Sequence, residues 1–138
     1  MRSLALCLML AACATSPPPS PGARVAGCWI ARGEILTTAL RWRADLEQPG
    51  RLRGELTQTG SGANGARYAL APRGQSWAFC QLDAAGAEGA CWQVAEGRGG
   101  SLEGGRAFID AHRDRLRIAV VSAEGERLIF DGQRDGCE

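Results

Sequence analysis

The chain has no lysine. All sixteen of its basic residues are arginine, set against fifteen acidic ones. With abundant Gly and Ala, this reads as the codon bias of a GC-rich genome. A nucleic-acid binder needs a basic excess, and the near balance gives none. No DNA or RNA partner is expected. Histidine is nearly absent: His112 stands alone, in Asp110-Ala111-His112-Arg113-Asp114. A zinc site needs clustered Cys or His at short spacings, and no such cluster occurs. No GxSxG accompanies His112, so a nucleophile–base pair is missing. His112 and its flanking aspartates read as turn chemistry. The Gly-rich run 97–105 (GRGGSLEGG) lacks the Gly-Lys-Ser/Thr ending of a phosphate loop. No catalytic residue, no cofactor and no metal is expected, and the chain is not read as an enzyme. A long apolar run is also missing. Leu4 to Leu10 is too short for a membrane-spanning helix, which needs about 20 apolar residues.

What the first residues do contain is Arg2, that short apolar stretch, and Leu10-Ala11-Ala12-Cys13. Their order fits an export signal. The last four residues resemble the lipobox of bacterial lipoproteins. The resemblance implies cleavage before Cys13, diacylglycerol on its sulfur and acylation of the new amino terminus. Residues 1–12 are then a cleaved signal peptide, and Cys13 anchors the mature chain to a membrane. Two or three acyl chains hold firmly where one is marginal. Ala14, in place of the Asp that retains enteric lipoproteins at the inner membrane, implies the outer membrane. Residues 13–23 are the lipidated Cys and a Pro-rich tether, since prolines favour extended conformations. Residues 24–138 form one domain of about 115 residues. Without Arg2, fifteen arginines face fifteen acidic residues, and the mature chain is neutral.

The lipoprotein reading takes Cys7 and Cys13 out of the count. Cys28, Cys80, Cys91 and Cys137 remain, an even number in an oxidising compartment. Three pairings are possible. Short alternating runs recur every eight to twelve residues or so, separated by Gly, Asp and Glu, which points to an all-β sandwich or barrel. The candidate strands are 25–31, 35–43, 51–59, 66–71, 76–82, 90–95, 105–111, 115–122 and 126–132. Residues 34–47 also admit a helix with Leu36, Leu40 and Leu46 on one side; adjacent threonines and Trp42 favour strand. A turn at Ala85-Gly86 sets Cys80 opposite Cys91, Phe79 opposite Trp92 and Trp77 opposite Val94. Aromatics then share one face and sulfurs the other, so Cys80 pairs with Cys91. A three-residue turn at 123–125 sets Val120 opposite Leu128 and Ile118 opposite Phe130. Cys28 lies on the first strand and Cys137 just past the last. If those strands adjoin, the sheet closes and the second bridge is Cys28–Cys137.

Gly27-Cys28-Trp29 opens the first strand. A Gly-x-Trp there is similar to the opening of lipocalins and related calycin barrels, and to small exported bacterial proteins that begin with a Gly-Cys-Trp strand. The resemblance implies an antiparallel up-and-down β-barrel, expected here with about 8–10 strands and two disulfides, in which Trp29 plugs the closed end; a plain core role for Trp29 remains the alternative. Lipocalin ligand residues do not carry over, because nothing beyond Gly27 and Trp29 matches. Trp29, Trp42, Trp77, Phe79 and Trp92 are candidates to line a cavity for an apolar ligand. The leading expectation is a monomeric, periplasm-facing binding lipoprotein for a small apolar ligand or lipid. The alternatives are a protein-binding barrel of the protease- or lysozyme-inhibitor type and a structural accessory of the envelope. A hollow lined by the tryptophans favours the first. A filled barrel, with residues 97–105 as a contact loop, favours the second.

Overall fold

The computed structural model describes residues 16–59, 65–95 and 105–136. Residues 16–20 are exposed and outside regular structure, and burial begins at Pro21. A one-turn helix, α1 (Pro21–Val25), follows Ser20, whose hydroxyl accepts from the Ala23 amide at 3.2 Å. Ser at this position satisfies an amide that the first helical turn leaves open. Nine strands follow: β1 (Gly27–Arg32), β2 (Thr37–Ala44), β3 (Leu52–Thr59), β4 (Arg67–Arg73), β5 (Ser76–Leu82), β6 (Glu88–Val94), β7 (Arg106–His112), β8 (Arg115–Ser122) and β9 (Gly125–Arg134). They close into one barrel in sequence order.

Each expected strand is present. The ambiguous 34–47 segment is strand over Thr37–Ala44, with Leu40 and Trp42 buried. Leu46, which a helix would have placed on its apolar stripe, is 97% exposed at a loop tip.

The barrel is not purely antiparallel. β6 and β7 pair in parallel, through Gln93 with Arg106 and Val94 with Ala107. Parity explains the need for this pair. Nine strictly alternating strands would bring β9 beside β1 in parallel. One parallel step reverses β7 to β9, so β9 meets β1 antiparallel. A parallel neighbour ordinarily requires a crossover that runs back along the strand. Here β7 starts level with the end of β6 and continues in the same direction. The Gln93 amide donates to the Gly105 carbonyl at 3.2 Å and the Ala95 amide to that of Ala107 at 2.9 Å. The connection therefore returns to the level it left. Residues 96–104, most of the expected contact loop, lie outside the described residues.

The β5–β6 hairpin has the expected register: Phe79 faces Trp92 and Cys80 faces Cys91, with an irregularity only beyond Cys80. The β8–β9 hairpin departs by one residue. Ser122 pairs with Gly125 across a two-residue turn, so Ala119 faces Leu128 and Val120 faces Arg127. The shift ends between Ile118 and Ala119, and Ile118 faces Phe130 as expected. A one-residue slip turns every side chain to the other face. Leu128 consequently points outward, 54% exposed, instead of meeting Val120 in the core.

Closure depends on a narrow seam. β1 and β9 pair only at Trp29–Arg134 and Ile30–Gln133. Gly132 permits their approach: a Cβ there would stand 2.6 Å from the Ile30 carbonyl oxygen and from the Phe130 ring. Gly132→Ala is expected to destabilise the barrel by about 2 kcal/mol or more. Urea unfolding would report this as a lower midpoint, and an unchanged midpoint would mean that β1 and β9 are less tightly apposed.

Candidate functional site

The alternation of β2, β4, β5 and β6 sends large rings to the barrel axis. Phe79 lies at the centre of them. Its ring centroid is 5.1 Å from that of Tyr68, 6.0 Å from Trp92 and 6.2 Å from Trp42. Trp42 lies across Gly54, where a Cβ would come within 2.9 Å of the indole. Side chains lining a hollow keep surface that a water-sized sphere can reach. Trp29 and Phe79 keep none, Trp42 keeps 2%, and Tyr68 and Trp92 keep 6%. These rings pack against one another as an organic solid does. Trp77 is half-buried and sits apart, its ring edge 3.0 Å from where a Cβ of Gly22 would stand.

The end from which α1 enters is tied shut. The Trp29 indole N–H donates to the Val25 carbonyl at 2.8 Å. The Arg134 guanidinium lies 4.2 Å from the centroid of the Trp29 ring, and Arg134 Nη1 donates to the Ala26 carbonyl at 3.2 Å. A cation over an indole face is attracted by the ring's quadrupole. One arginine thus holds the last strand, the first strand and the helix together. Toward the other end, Arg127 sits 5.8 Å from the Trp92 ring centroid. Burial pushes the Tyr68 phenol above its ordinary pKa, and Arg127 partly opposes that shift.

Of the sequence candidates, the structure brings Trp42, Phe79 and Trp92 together and leaves Trp29 and Trp77 toward the helix end. Cys80 and Cys91 are bridged and lie directly opposite each other. This is the one disulfide among the described residues, where two were expected. Cys28 is buried, but Cys137 lies outside the described residues, as does the lipidation candidate Cys13. Sequence reasoning missed Tyr68, Arg127 and Arg134. Tyr68 alternates with Leu70 toward the core, a signal that was present. Neither arginine is distinguishable in a chain whose every base is arginine.

A charged network covers the outer face near the bridge. Arg51 and Asp45 form a buried pair at 2.6 Å, and Arg53 lies 3.3 Å from the same carboxylate. Glu88 bridges Arg51, at 3.5 Å, and Arg73. The Glu47 amide, then the Arg51 guanidinium, hold Asp45 below the usual carboxylate range against the opposing effect of burial. Cys80, Glu88 and Cys91 could hold a metal by proximity, but the bridge removes both thiolates.

A cavity of about 370 Å³ lies beside Leu56, Ala66, Leu82 and Ala84, at the end of β3 and the start of β4. None of the five aromatic candidates lines it. His112 ends β7, exposed, before the turn at Arg113, which has a φ of 53°. Comparison with protein families, curated proteins and solved structures finds no match for this chain.

Two measurements check this geometry. The chain has one tyrosine, so an ultraviolet titration reads Tyr68 alone. It is expected to ionise above the ordinary tyrosine range, and higher still in Arg127→Gln; an ordinary value in the folded chain would mean a hydrated ring. A depressed carboxylate contributes stability at pH above its unfolded pKa, and that contribution is lost as pH falls through the folded one. Asp131, held low first by the Arg115 hydrogen bond, behaves as Asp45 does. Stability should therefore fall below about pH 4. Asp45→Asn should be less stable at neutral pH and show a shallower acid limb.

Proposed function

We propose that this chain is a lipid-anchored, non-enzymatic binding protein of the bacterial envelope, with a calycin-like barrel that engages a protein partner from outside. The observation that carries this reading is the filled interior. Of the aromatic side chains that would line a ligand cavity, Trp42, Phe79 and Trp92 pack on one another and Trp29 is covered by Arg134. A drug-sized ligand occupies a cleft of roughly 300–1,000 Å³ lined mainly by apolar groups. The 370 Å³ cavity falls in that range, but Glu55, Arg67 and Asp83 line it with the apolar residues. The calycin-like reading draws on Trp29 closing the helix end and on strands joined in sequence order. The lipid anchor draws on Leu10 to Cys13 and on the exposed residues 16–20 leading into α1.

A second reading, a small apolar ligand in the lumen, has one observation in its favour. The Trp42 indole N–H is buried and has no acceptor among the described residues. A ligand's polar end would supply one.

We also propose the Cys28–Cys137 bridge. The Asp135 amide donates to the Cys28 carbonyl at 3.0 Å, which brings the chain beside Cys28 two residues before Cys137.

The protein purified from its own host should retain no small molecule in native mass spectrometry, and its tryptophan fluorescence should ignore fatty-acid probes. A stoichiometric retained ligand, or a saturable fluorescence change, would restore the lumen reading. Non-reducing peptide mapping should give Cys80–Cys91 and Cys28–Cys137 peptides and a Cys13 carrying diacylglycerol on its sulfur and an acyl group on its amino terminus; a Cys28–Cys80 or Cys28–Cys91 peptide contradicts the pairing.

A further inference from the structure

The two sulfurs of the Cys80–Cys91 bridge stand in unlike surroundings. Cys80 is 1% exposed, whereas Cys91 is half-buried. Arg73 Nη2 lies 3.8 Å from Cys80 Sγ. The Glu88 carboxylate lies 3.9 Å from Cys91 Sγ. Two arginines hold that carboxylate, Arg73 and, at 3.5 Å, Arg51. Its charge is therefore countered beside the sulfur that solvent reaches.

The bridge also carries little of the architecture. Its cysteines are eleven residues apart, on strands that the ladder already pairs. A bridge over so short a loop constrains the unfolded chain least. The β5–β6 ladder and the Phe79–Trp92 contact specify the same register without it. Opening it leaves the barrel closed.

We propose that Cys91 is a mixed-disulfide site for a small thiol. In thiol–disulfide exchange the thiolate attacks, and the thiol of lower pKa leaves faster. A guanidinium beside a thiol lowers its pKa. Cys80, beside Arg73, is thus the better leaving group. The incoming thiolate bonds to Cys91 Sγ and the Cys80–Cys91 bond breaks. Its electron pair departs on Cys80 Sγ, which becomes a thiolate facing Arg73. One thiolate is consumed and one is formed, so the charge balances. Attack on Cys80 is disfavoured twice: its sulfur is covered, and a departing Cys91 thiolate would face Glu88. The reverse step restores the bridge, as Cys80 attacks Cys91 and expels the thiol. Cys91 keeps only part of its surface, which favours a slender thiol over a cysteine set in a partner's chain. The exchange requires neither the lipid anchor nor the protein partner proposed above.

The full oxidised chain would be treated with glutathione at neutral pH. Acid stops the reaction, and N-ethylmaleimide then labels free thiols in the unfolded chain. Peptide mapping should find glutathione on Cys91 and the label on Cys80. The rate should stay constant as urea is added below the unfolding transition. Arg73→Gln should slow the exchange about fivefold, because Cys80 loses the cation that steadies it on leaving. Glu88→Gln should speed it by a similar factor, because the attacker is an anion. Circular dichroism checks that both variants keep the fold; if either does not, the mapping and the urea series on the unaltered chain decide alone. Glutathione on Cys80, or first on Cys28 or Cys137, overturns the proposal, as does the lack of any adduct. A rate that follows the unfolded fraction in urea overturns it too, as does one that neither charge change moves.

Discussion

The stacking of Arg134 on Trp29 is the contact on which the rest of this barrel depends. Between β1 and β9 the ladder supplies only two residue pairs. Backbone pairing so short does not by itself hold two ends of a chain together against the entropy of more than a hundred intervening residues. The side chains complete it. Trp29 binds the helix through Val25, and Arg134 covers its ring and reaches Ala26. A closed barrel has no exposed strand edge to template association. Losing this contact would expose the edges of β1 and β9 together.

From that closure follows the character of the interior. In this sealed sheet the side chains that alternate inward fill the axis. Three rings meet around Phe79, and all four are buried. The filled axis shifts the argument for function from the lumen to the surface. The surface has its own organisation. Charged residues cover β3 to β6 around the Cys80–Cys91 bridge, while the β7–β9 panel keeps an apolar row between charged ones.

Much of this could be read from the residues. Period-two alternation located all nine strands, because strand faces in a closed sheet must be apolar within. The β5–β6 register was legible because two constraints agreed: the sulfurs and the rings had to fall on opposite faces. In β8–β9 only one apolar face guided the register. Residues 122–129 admit a two-residue turn as readily as a three-residue one, and the compensating irregularity near Ala119 leaves no mark in composition. The parallel β6–β7 pair was illegible because its connection is a glycine-rich run without periodicity. The five aromatic candidates were identifiable by type. Whether rings line a hollow or fill it depends on how the barrel closes, which no single strand encodes. Arg134 carried no signal among sixteen arginines.

The central claim is that the Trp29–Arg134 closure is as stable as the barrel itself. Hydrogen exchange of the four indole N–H groups, followed by nuclear magnetic resonance, tests it directly. The account predicts that the Trp29 indole proton exchanges only through global unfolding, so that its protection equals the free energy measured in denaturant. Exchange of that proton through a low-energy local opening, with the β5–β6 amides still fully protected, would contradict it.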